Sequence, residues 1–354
     1  MSGLFWSSRW TLRLLVTFLV AAPIAAACGR ASDEPAAPAP FPALARYDAM
    51  TIPADNPMTW EKVELGKQLY YDTRLSGDGQ RSCYSCHVEE RGLTDGQPVA
   101  IGAFDRPLTR SSPTMWNIGY HSAWYWDGRA NTLEGQARAA WSGGNMGASG
   151  NDGAPSMDQV CQTLDGLEGY RTQFQAVFGA GCTPDNVTKA LAAFMRTIVS
   201  TDSPWVRFRE GDTSALSEAA RRGWEVFDQK AMCSRCHAGI LLTDQQYHNV
   251  GIGMDAADPD LGRYRVTQNA TDRGAFKTPT LLDISKSAPY FHNGSVATLE
   301  EAVDLMLRGG LDNPNLDRAN LQAATLTAEE RADLLQFLRE LTATYTIVAP
   351  TLPN

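Results

Sequence analysis

Cys83-Tyr84-Ser85-Cys86-His87 and Cys233-Ser234-Arg235-Cys236-His237 are two copies of one pattern, Cys-x-x-Cys-His, in a chain of 354 residues. In this pattern the two thiols add to the vinyl groups of a haem, and the His that follows reaches the iron as an axial ligand. Paired cysteines also build structural zinc sites, but zinc does not explain a His directly after both pairs. The two stretches therefore predict two covalent c-type haems. Their attachment residues are Cys83, Cys86, His87, Cys233, Cys236 and His237.

Similar segments precede the two motifs. Glu64-Leu65-Gly66-Lys67-Gln68-Leu69-Tyr70 lies before the first motif, and Arg221-Arg222-Gly223-Trp224-Glu225-Val226-Phe227 lies before the second. Each segment contains a Gly and, four positions later, an aromatic residue. Residues at i and i+4 share one face of a helix, so each segment predicts a helix that packs an aromatic ring near its haem. We therefore predict a duplicated chain of the all-α class, with two cytochrome c-like domains, each wrapped around one covalent haem, and long loops.

Helical periodicity dominates the rest of the sequence. Residues 186–200, 299–307 and 328–345 each carry an apolar stripe at helical spacing, and Thr327 is a suitable N-cap for the last of them. The stretches 142–156 and 252–274 are rich in Gly, Asp and Ser, so we expect loops there. In small c-type domains such loops wrap around the haem, whose apolar ring replaces part of the core.

The chain begins with a targeting segment. Arg9 and Arg13 precede the apolar residues 14–27, which end in small side chains, as in a secretory signal peptide. Cys28 follows directly, and we predict a lipoprotein in which Cys28 is acylated. The alternative is a plain secreted protein with an unused Cys28. The predicted location is therefore the periplasm, with a membrane anchor at Cys28 and a flexible Ala- and Pro-rich tether after it.

The predicted organisation is a signal peptide (1–27), a lipoprotein tether or linker (28–57), an N-terminal cytochrome c-like domain (58–213), a C-terminal cytochrome c-like domain (214–346) and a tail (347–354). Cys161 and Cys182 lie outside the haem motifs. In an oxidising compartment they fit one disulfide, and two buried free thiols are the alternative. The formal net charge of -9, without a Lys/Arg-rich run, argues against nucleic acid as a partner.

The sequence resembles the bacterial di-haem cytochrome c peroxidase family from about Trp60 to Tyr345. The resemblance rests on several short sequence segments that occur in the same order as in the family. Besides the two haem motifs they are Ser111-Ser112-Pro113-Thr114, Tyr125-Trp126-Asp127-Gly128-Arg129-Ala130, Phe276-Lys277-Thr278-Pro279-Thr280-Leu281 and Pro289-Tyr290-Phe291-His292-Asn293-Gly294. The resemblance implies a peroxidatic N-terminal haem and an electron-transferring C-terminal haem. The family is related to the di-haem enzyme that matures tryptophan tryptophylquinone.

The resemblance also implies unlike sixth ligands for the two irons. In the family, a Met is the sixth ligand of the C-terminal haem iron, and Met306 stands at the matching position here. Without the resemblance, Met306 also suits the apolar core face of a helix. A thioether ligand favours ferrous iron and suits an electron relay. The tryptophylquinone enzyme has Tyr at this place. At the N-terminal haem many family members place a blocking His where this chain has Ala103, so we expect an open, high-spin iron. The alternative is closure by His121 or by a ligand from a loop.

Two further residues match the family's peroxide chemistry. Gln136 matches its distal Gln, and Trp126 matches the aromatic residue between the haems. The family's distal Glu has no counterpart, because counting on from Gln136 reaches Gly144-Asn145-Met146. Asn145 can hold a water but is a poor proton shuttle. The spacing of Glu134 from Gln136 predicts that its side chain points elsewhere on a helix.

Members of the family bind calcium between their domains, and the residues that correspond to the calcium ligands here are Ser111, Ser287 and Pro289. Ser in place of Asn weakens the side-chain ligand, while backbone carbonyls remain available. His292 is expected to be a structural residue near the edge of the C-terminal haem. No role is predicted for His121 or for His248.

The function implied by the resemblance is reduction of hydrogen peroxide to water, with electrons from a small cytochrome c or cupredoxin. Two alternatives stay open. One is a di-haem oxidase that uses peroxide to modify a partner protein or an organic substrate, and the other is a non-catalytic electron carrier. Family members are often dimers, so a homodimer is also open.

Overall fold

The computed structural model describes residues 39–44, 48 and 50–354. Residues Pro40–Asn354 form one compact unit. The predicted signal peptide and the acylated Cys28 lie outside the described residues. Within the described ranges, no helix is both long and apolar enough to cross a bilayer.

Helices form most of the regular structure, and we number them in chain order. They are α1 (Trp60–Tyr71), α2 (Leu133–Ser142), α3 (Met157–Asp165), α4 (Glu168–Phe178), α5 (Pro184–Met195), α6 (Pro204–Arg209), α7 (Glu218–Glu225), α8 (Tyr264–Thr267), α9 (Leu299–Leu307) and α10 (Ala328–Glu340). A π-helical turn, Val226–Lys230, follows α7 directly. The strands β1 (Tyr247–His248) and β2 (Phe276–Lys277) pair antiparallel. The chain is therefore helix-rich, as the sequence predicts.

The predicted helices exist, but two of them end early. The helix predicted over 186–200 ends at Met195, because Asn117 binds the chain beyond it: the Asn117 amide donates to Ile198 O (3.0 Å) and its side chain accepts from Ser200 N (3.0 Å). The helix predicted over 328–345 ends at Glu340. Helix α9 has the predicted bounds. The stretch 252–274 was expected to be all loop, and this is wrong at α8.

Two helix pairs repeat one packing arrangement. Helix α1 packs against α5, and α7 packs against α10. A Cβ atom added to Gly66 would lie 1.9 Å from the carbonyl oxygen of Ala190, and one added to Gly223 would lie 2.0 Å from that of Asp333. Glycine is therefore needed at both crossings, because any side chain would separate the helices. The predicted disulfide is confirmed: Cys161 in α3 is bonded to Cys182.

Most of the buried apolar residues of the described chain fall into two large clusters. Tyr70, Trp141 and Phe194 belong to the first, and Phe227 and Phe337 belong to the second. The chain after α10 returns to the first cluster, because Ile347 is buried there and its amide donates to the Glu89 carboxylate at 3.0 Å. Two cores suit a duplicated chain, while the predicted boundaries 58–213 and 214–346 stay predictions.

Candidate haem sites

Each Cys-x-x-Cys-His motif forms a short 3₁₀ turn that presents its His ring in one orientation. Nδ1 of His87 lies 3.0 Å from Leu93 O, and Nδ1 of His237 lies 3.1 Å from Leu242 O. A carbonyl can only accept, so both Nδ1 atoms carry the proton and both Nε2 atoms keep a lone pair. Burial lowers the pKa of both imidazoles, which favours this neutral, ligating form.

A cavity lies beside each motif. The cavity beside His237, here the C-terminal cavity, measures about 250 Å³. The cavity beside His87, the N-terminal cavity, measures about 320 Å³. Each contains its two cysteines, which are unpaired thiols, and the predicted aromatic rings, Tyr70 in one and Phe227 in the other. Two thiols, a neutral imidazole and largely apolar walls fit a covalent haem at each site.

Met306 lines the C-terminal cavity together with His237. It lies in α9, whose start is fixed by a capping box between Thr298 and Glu301. Leu299, Ala302 and Val303 of the same helix line this cavity too, and they also belong to the second apolar cluster. This placement supports iron ligation by Met306.

The structure repeats the segment that leads to Met306, and the repeat identifies a residue that sequence reasoning missed. Isolated bridges join Trp124 to Ala130 and Tyr290 to Val296, and helices capped by Thr132 and Thr298 follow. Ala140 lies as many residues after Thr132 as Met306 lies after Thr298, so the two positions correspond. Each of them lines the cavity of its own half. The sequence alone contains this match, because Thr132-Leu133-Glu134 aligns with Thr298-Leu299-Glu300. A methyl group therefore occupies the N-terminal counterpart of the Met306 position.

No second imidazole reaches the N-terminal cavity. All five histidines of the chain lie in the described ranges, and His87 is the one that lines this cavity. His121 instead places Nδ1 3.0 Å from Lys277 Nζ. Ala103 is buried outside the lining, and its amide donates to Asn145 O at 3.0 Å. The geometry therefore supports the open site predicted from Ala103 and disfavours closure by His121.

The polar side chains of the N-terminal cavity include Gln136 and Asn145 but, among the described lining residues, no Asp or Glu. Met146 lines the cavity in the region where the family's Glu was sought. Glu134 is held elsewhere, because its two carboxylate oxygens accept from Arg196 at 2.7 and 3.1 Å. The cavity therefore holds hydrogen-bonding groups but no carboxylate base.

Trp126 lines both cavities. Its Nε1 donates to Ser111 O at 2.9 Å, and its carbonyl oxygen accepts from Lys277 N at 2.8 Å. The amide of Ser111 in turn donates to His292 O at 2.7 Å. Trp126 is thus held to both halves of the chain, through its indole at Ser111 and through its backbone carbonyl at Lys277. This is the position predicted for a bridging residue.

The predicted calcium residues Ser111, Ser287 and Pro289 all line the C-terminal cavity. The Ser111 hydroxyl donates to Phe291 O (2.9 Å) and the Ser287 hydroxyl to Ile284 O (3.2 Å). Both hydroxyl protons therefore already have acceptors in the protein, and the hydroxyl oxygens keep lone pairs. Calcium binding stays a prediction.

The two remaining histidines also border the C-terminal cavity. His292 stacks on Phe276 with ring centroids 3.6 Å apart, and burial lowers its pKa to about 4. His248 lies between two carboxylates, with Nε2 2.9 Å from Asp244 and Nδ1 2.6 Å from Asp317. Each contact ties one of the two short strands, β2 through Phe276 and β1 through His248, to residues of other segments, so a structural role fits His292 and His248 alike.

Two covalent-haem motifs with a shared indole define a di-haem c-type cytochrome. A family profile described as "Di-haem cytochrome c peroxidase" matches residues 60–214. The chain is 36% identical to cytochrome-c peroxidase IdrP1 of Denitromonas iodatirespirans, over 94% of this chain and 95% of that protein. It is 37% identical to methylamine utilization protein MauG of Methylorubrum extorquens, over 87% and 86%. The chain belongs to the di-haem cytochrome c peroxidase family, as predicted, and is an oxidoreductase of that family.

The fold is shared with a solved relative. The crystal structure of a MauG-like protein associated with microbial copper homeostasis superimposes with a TM-score of 0.73 at 33% identity, covering 84% of this chain and 94% of that one. The di-haem peroxidase BthA of Burkholderia thailandensis has a TM-score of 0.66 at 20% identity, which shows the fold alone.

Proposed function

We propose that the protein is a cytochrome c peroxidase that reduces hydrogen peroxide to water with electrons from a small cytochrome c or cupredoxin. One observation carries the proposal: Trp126 lines two adjacent cavities, of which one offers Met306 beside its haem motif and the other offers Ala140. A closed relay site and an open reactive site, joined by an indole, suit a reaction in which single electrons enter at one haem and peroxide is reduced at the other.

Haem, when bound, supplies iron that cycles between oxidation states and, where a coordination position is free, a place for peroxide. His87 and His237 would hold the two irons through Nε2. The Met306 thioether would stabilise the reduced state of the C-terminal haem, which suits electron uptake from a donor protein. Ala140 leaves room in the N-terminal cavity for a small oxidant.

The distal chemistry depends on the amide side chains Gln136 and Asn145. Their N–H groups can donate to a peroxide oxygen, and their carbonyls can orient a water that carries the proton between the two oxygens. A positioned carboxylate would do this faster, because its pKa lets it accept and return a proton near neutral pH. We therefore infer a slower proton-transfer step than in a site that holds a carboxylate.

The test is steady-state oxidation of a reduced small cytochrome c by the di-haem protein on addition of hydrogen peroxide. We expect turnover without prior reduction of the enzyme, because no imidazole blocks the N-terminal cavity. Met306→Ala is the matched change at the relay site and should slow electron uptake while leaving the N-terminal spectrum unchanged. No turnover with either a cytochrome or a cupredoxin donor, before or after reduction, would overturn the proposal.

The two alternative functions fit less well. Oxidation of a partner protein needs both haems to hold oxidising equivalents, and a Met ligand supports oxidised iron less well than Tyr does. A pure electron carrier gains by closing both irons, whereas the N-terminal cavity has Ala140 at the position that matches Met306. We further propose that the protein works in the periplasm, anchored through Cys28, with one calcium ion at Ser111, Ser287 and Pro289, and as a homodimer.

A further inference from the structure

We propose that Tyr70, Tyr71 and Tyr84 form a second electron path, which leads from the N-terminal cavity to the surface and ends in a site for one-electron oxidation of small phenols at Tyr84. This inference rests on the proposed peroxidase function, which supplies the oxidant. The route does not involve Trp126, Met306 or the C-terminal cavity.

Three tyrosine rings lie in sequence between the cavity and the surface. Tyr70 lines the N-terminal cavity and is fully buried. Its ring centroid lies 5.7 Å from that of Tyr71 in an edge-on arrangement, and Tyr71 stacks on Tyr84 at 4.4 Å with an interplanar angle of 23°. Rings at these distances are in van der Waals contact, so an electron can pass along them without crossing saturated protein.

The proton acceptor beside each tyrosine hydroxyl determines which tyrosine holds the radical. A tyrosine is oxidised with loss of its phenolic proton, so a radical persists where a base can take that proton. Tyr70 donates to the sulfur of Met115 at 3.4 Å, and a thioether is no base. The hydroxyl of partly exposed Tyr84 lies 3.5 Å from a carboxylate oxygen of Glu90. Tyr84 is therefore the end of the path.

A competing outlet at Tyr125 is disfavoured. Tyr125 also lines the N-terminal cavity, but the Arg129 guanidinium lies 3.6 Å from its ring centroid. A cation at this distance opposes removal of an electron from the ring. The Tyr125 hydroxyl donates to Gln136 O, a backbone carbonyl that cannot take the proton. Both features direct oxidation towards Tyr84.

The proposed reaction balances with peroxide as the oxidant. Hydrogen peroxide takes up two electrons from the tyrosine path and two protons from solvent, its O–O bond breaks and two waters form. Each electron comes from Tyr84 through Tyr71 and Tyr70, while the O–H bond of Tyr84 breaks and its proton passes to Glu90. A phenol then gives a hydrogen atom to the Tyr84 oxygen and leaves as a phenoxyl radical, and Glu90 releases its proton to solvent.

The experiment compares the full di-haem protein with Tyr84→Phe, Tyr71→Phe and Glu90→Gln, using 2-methoxyphenol and peroxide. Phe keeps the ring packing and removes the oxidisable hydroxyl. Tyr264→Phe, at a surface tyrosine outside the path, is the control. We expect each path variant to lose most of the phenol oxidation and to keep the oxidation of reduced cytochrome c. After peroxide alone, we expect a tyrosyl radical by electron paramagnetic resonance and a spin-trap adduct on the peptide containing Tyr84.

The outcomes separate this inference from the proposed function. Unchanged phenol oxidation in Tyr84→Phe, with normal cytochrome c turnover, overturns the tyrosine path and leaves the peroxidase function standing. A spin-trap adduct elsewhere, in the absence of any on Tyr84, overturns it too. Failure of cytochrome c oxidation and of phenol oxidation in the unmodified protein would instead refute the peroxidase function itself.

Discussion

Ala140 and Met306 occupy matching places in the two halves, and the difference between a methyl group and a thioether separates the two sites. We predict that Ala140→Met brings a sulfur ligand into the N-terminal cavity. The N-terminal iron should change from high-spin to low-spin and peroxide turnover should fall by at least about tenfold, which corresponds to about 1.4 kcal/mol in the barrier. Absorption and electron paramagnetic resonance spectra of the oxidised protein measure this.

Ala140→Leu is the control for Ala140→Met, because Leu fills similar space without a ligand atom. It should leave the iron high-spin even if it slows peroxide entry. A high-spin Ala140→Met protein would mean that the two helices do not present these positions to equivalent sides of their haems.

Met146 lines the N-terminal cavity where a carboxylate would be useful. We predict that Met146→Glu accelerates the reaction with peroxide, since a positioned acid–base group contributes about 10²–10⁴-fold in rate. Stopped-flow absorption after mixing with peroxide gives the rate constant. Met146→Gln has similar size and no base, so it should not reproduce the gain; an equal gain from both variants would assign the effect to polarity.

At the scale of elements, helix crossings at Gly66 and Gly223 support the two haem motifs. Gly223→Ala places a methyl 2.0 Å from the carbonyl oxygen of Asp333, so α7 must move away from α10. We expect unfolding free energy to fall by about 1–3 kcal/mol, as for other overpacked sites. Urea denaturation followed by circular dichroism measures this. Gly166→Ala, at a helix end with ordinary backbone angles, should change stability little, and a similar loss there would contradict the crossing argument.

The ends of α5 and α10 show how elements depend on distant partners. Apolar periodicity continues beyond Met195 and beyond Glu340, so the sequence predicts longer helices. Asn117 binds the chain after α5. Asp283 binds the chain after α10, because its carboxylate accepts from Ala343 N at 3.0 Å. Local patterns cannot show bonds to residues so far away in sequence.

At the scale of the whole molecule, Trp126 joins the two sites. We predict that Trp126→Phe slows electron exchange between the haems by about tenfold or more, a barrier change of about 1.4 kcal/mol, because Phe is harder to oxidise and lacks the Nε1–H that bonds Ser111 O. Single-turnover absorption measurements, which follow electrons from the reduced C-terminal haem after peroxide addition, test this.

Trp141→Phe is the matched control for Trp126→Phe. Trp141 lines the N-terminal cavity but not the C-terminal cavity. Like Trp126, it donates its Nε1–H to a backbone carbonyl, in this case that of Leu75. Its loss should leave exchange between the haems unchanged. Equal slowing in both variants would show that the effect is general loosening of the N-terminal half.

The sequence by itself determined the two haem motifs and the bounds of α9, because each depends on spacing within one short segment, and the family resemblance implied the register of Met306. The sequence also held the register that pairs Ala140 with Met306, although sequence reasoning did not use it. The tertiary structure decided that Trp126 borders both cavities, that His121 bonds to Lys277 and that three tyrosine rings are in contact between the N-terminal cavity and the surface. The first two features join residues far apart in the chain, and in all three only packing sets the distances. The two Cys-x-x-Cys-His motifs are alike in sequence, and residues brought from elsewhere in the fold make their sites different.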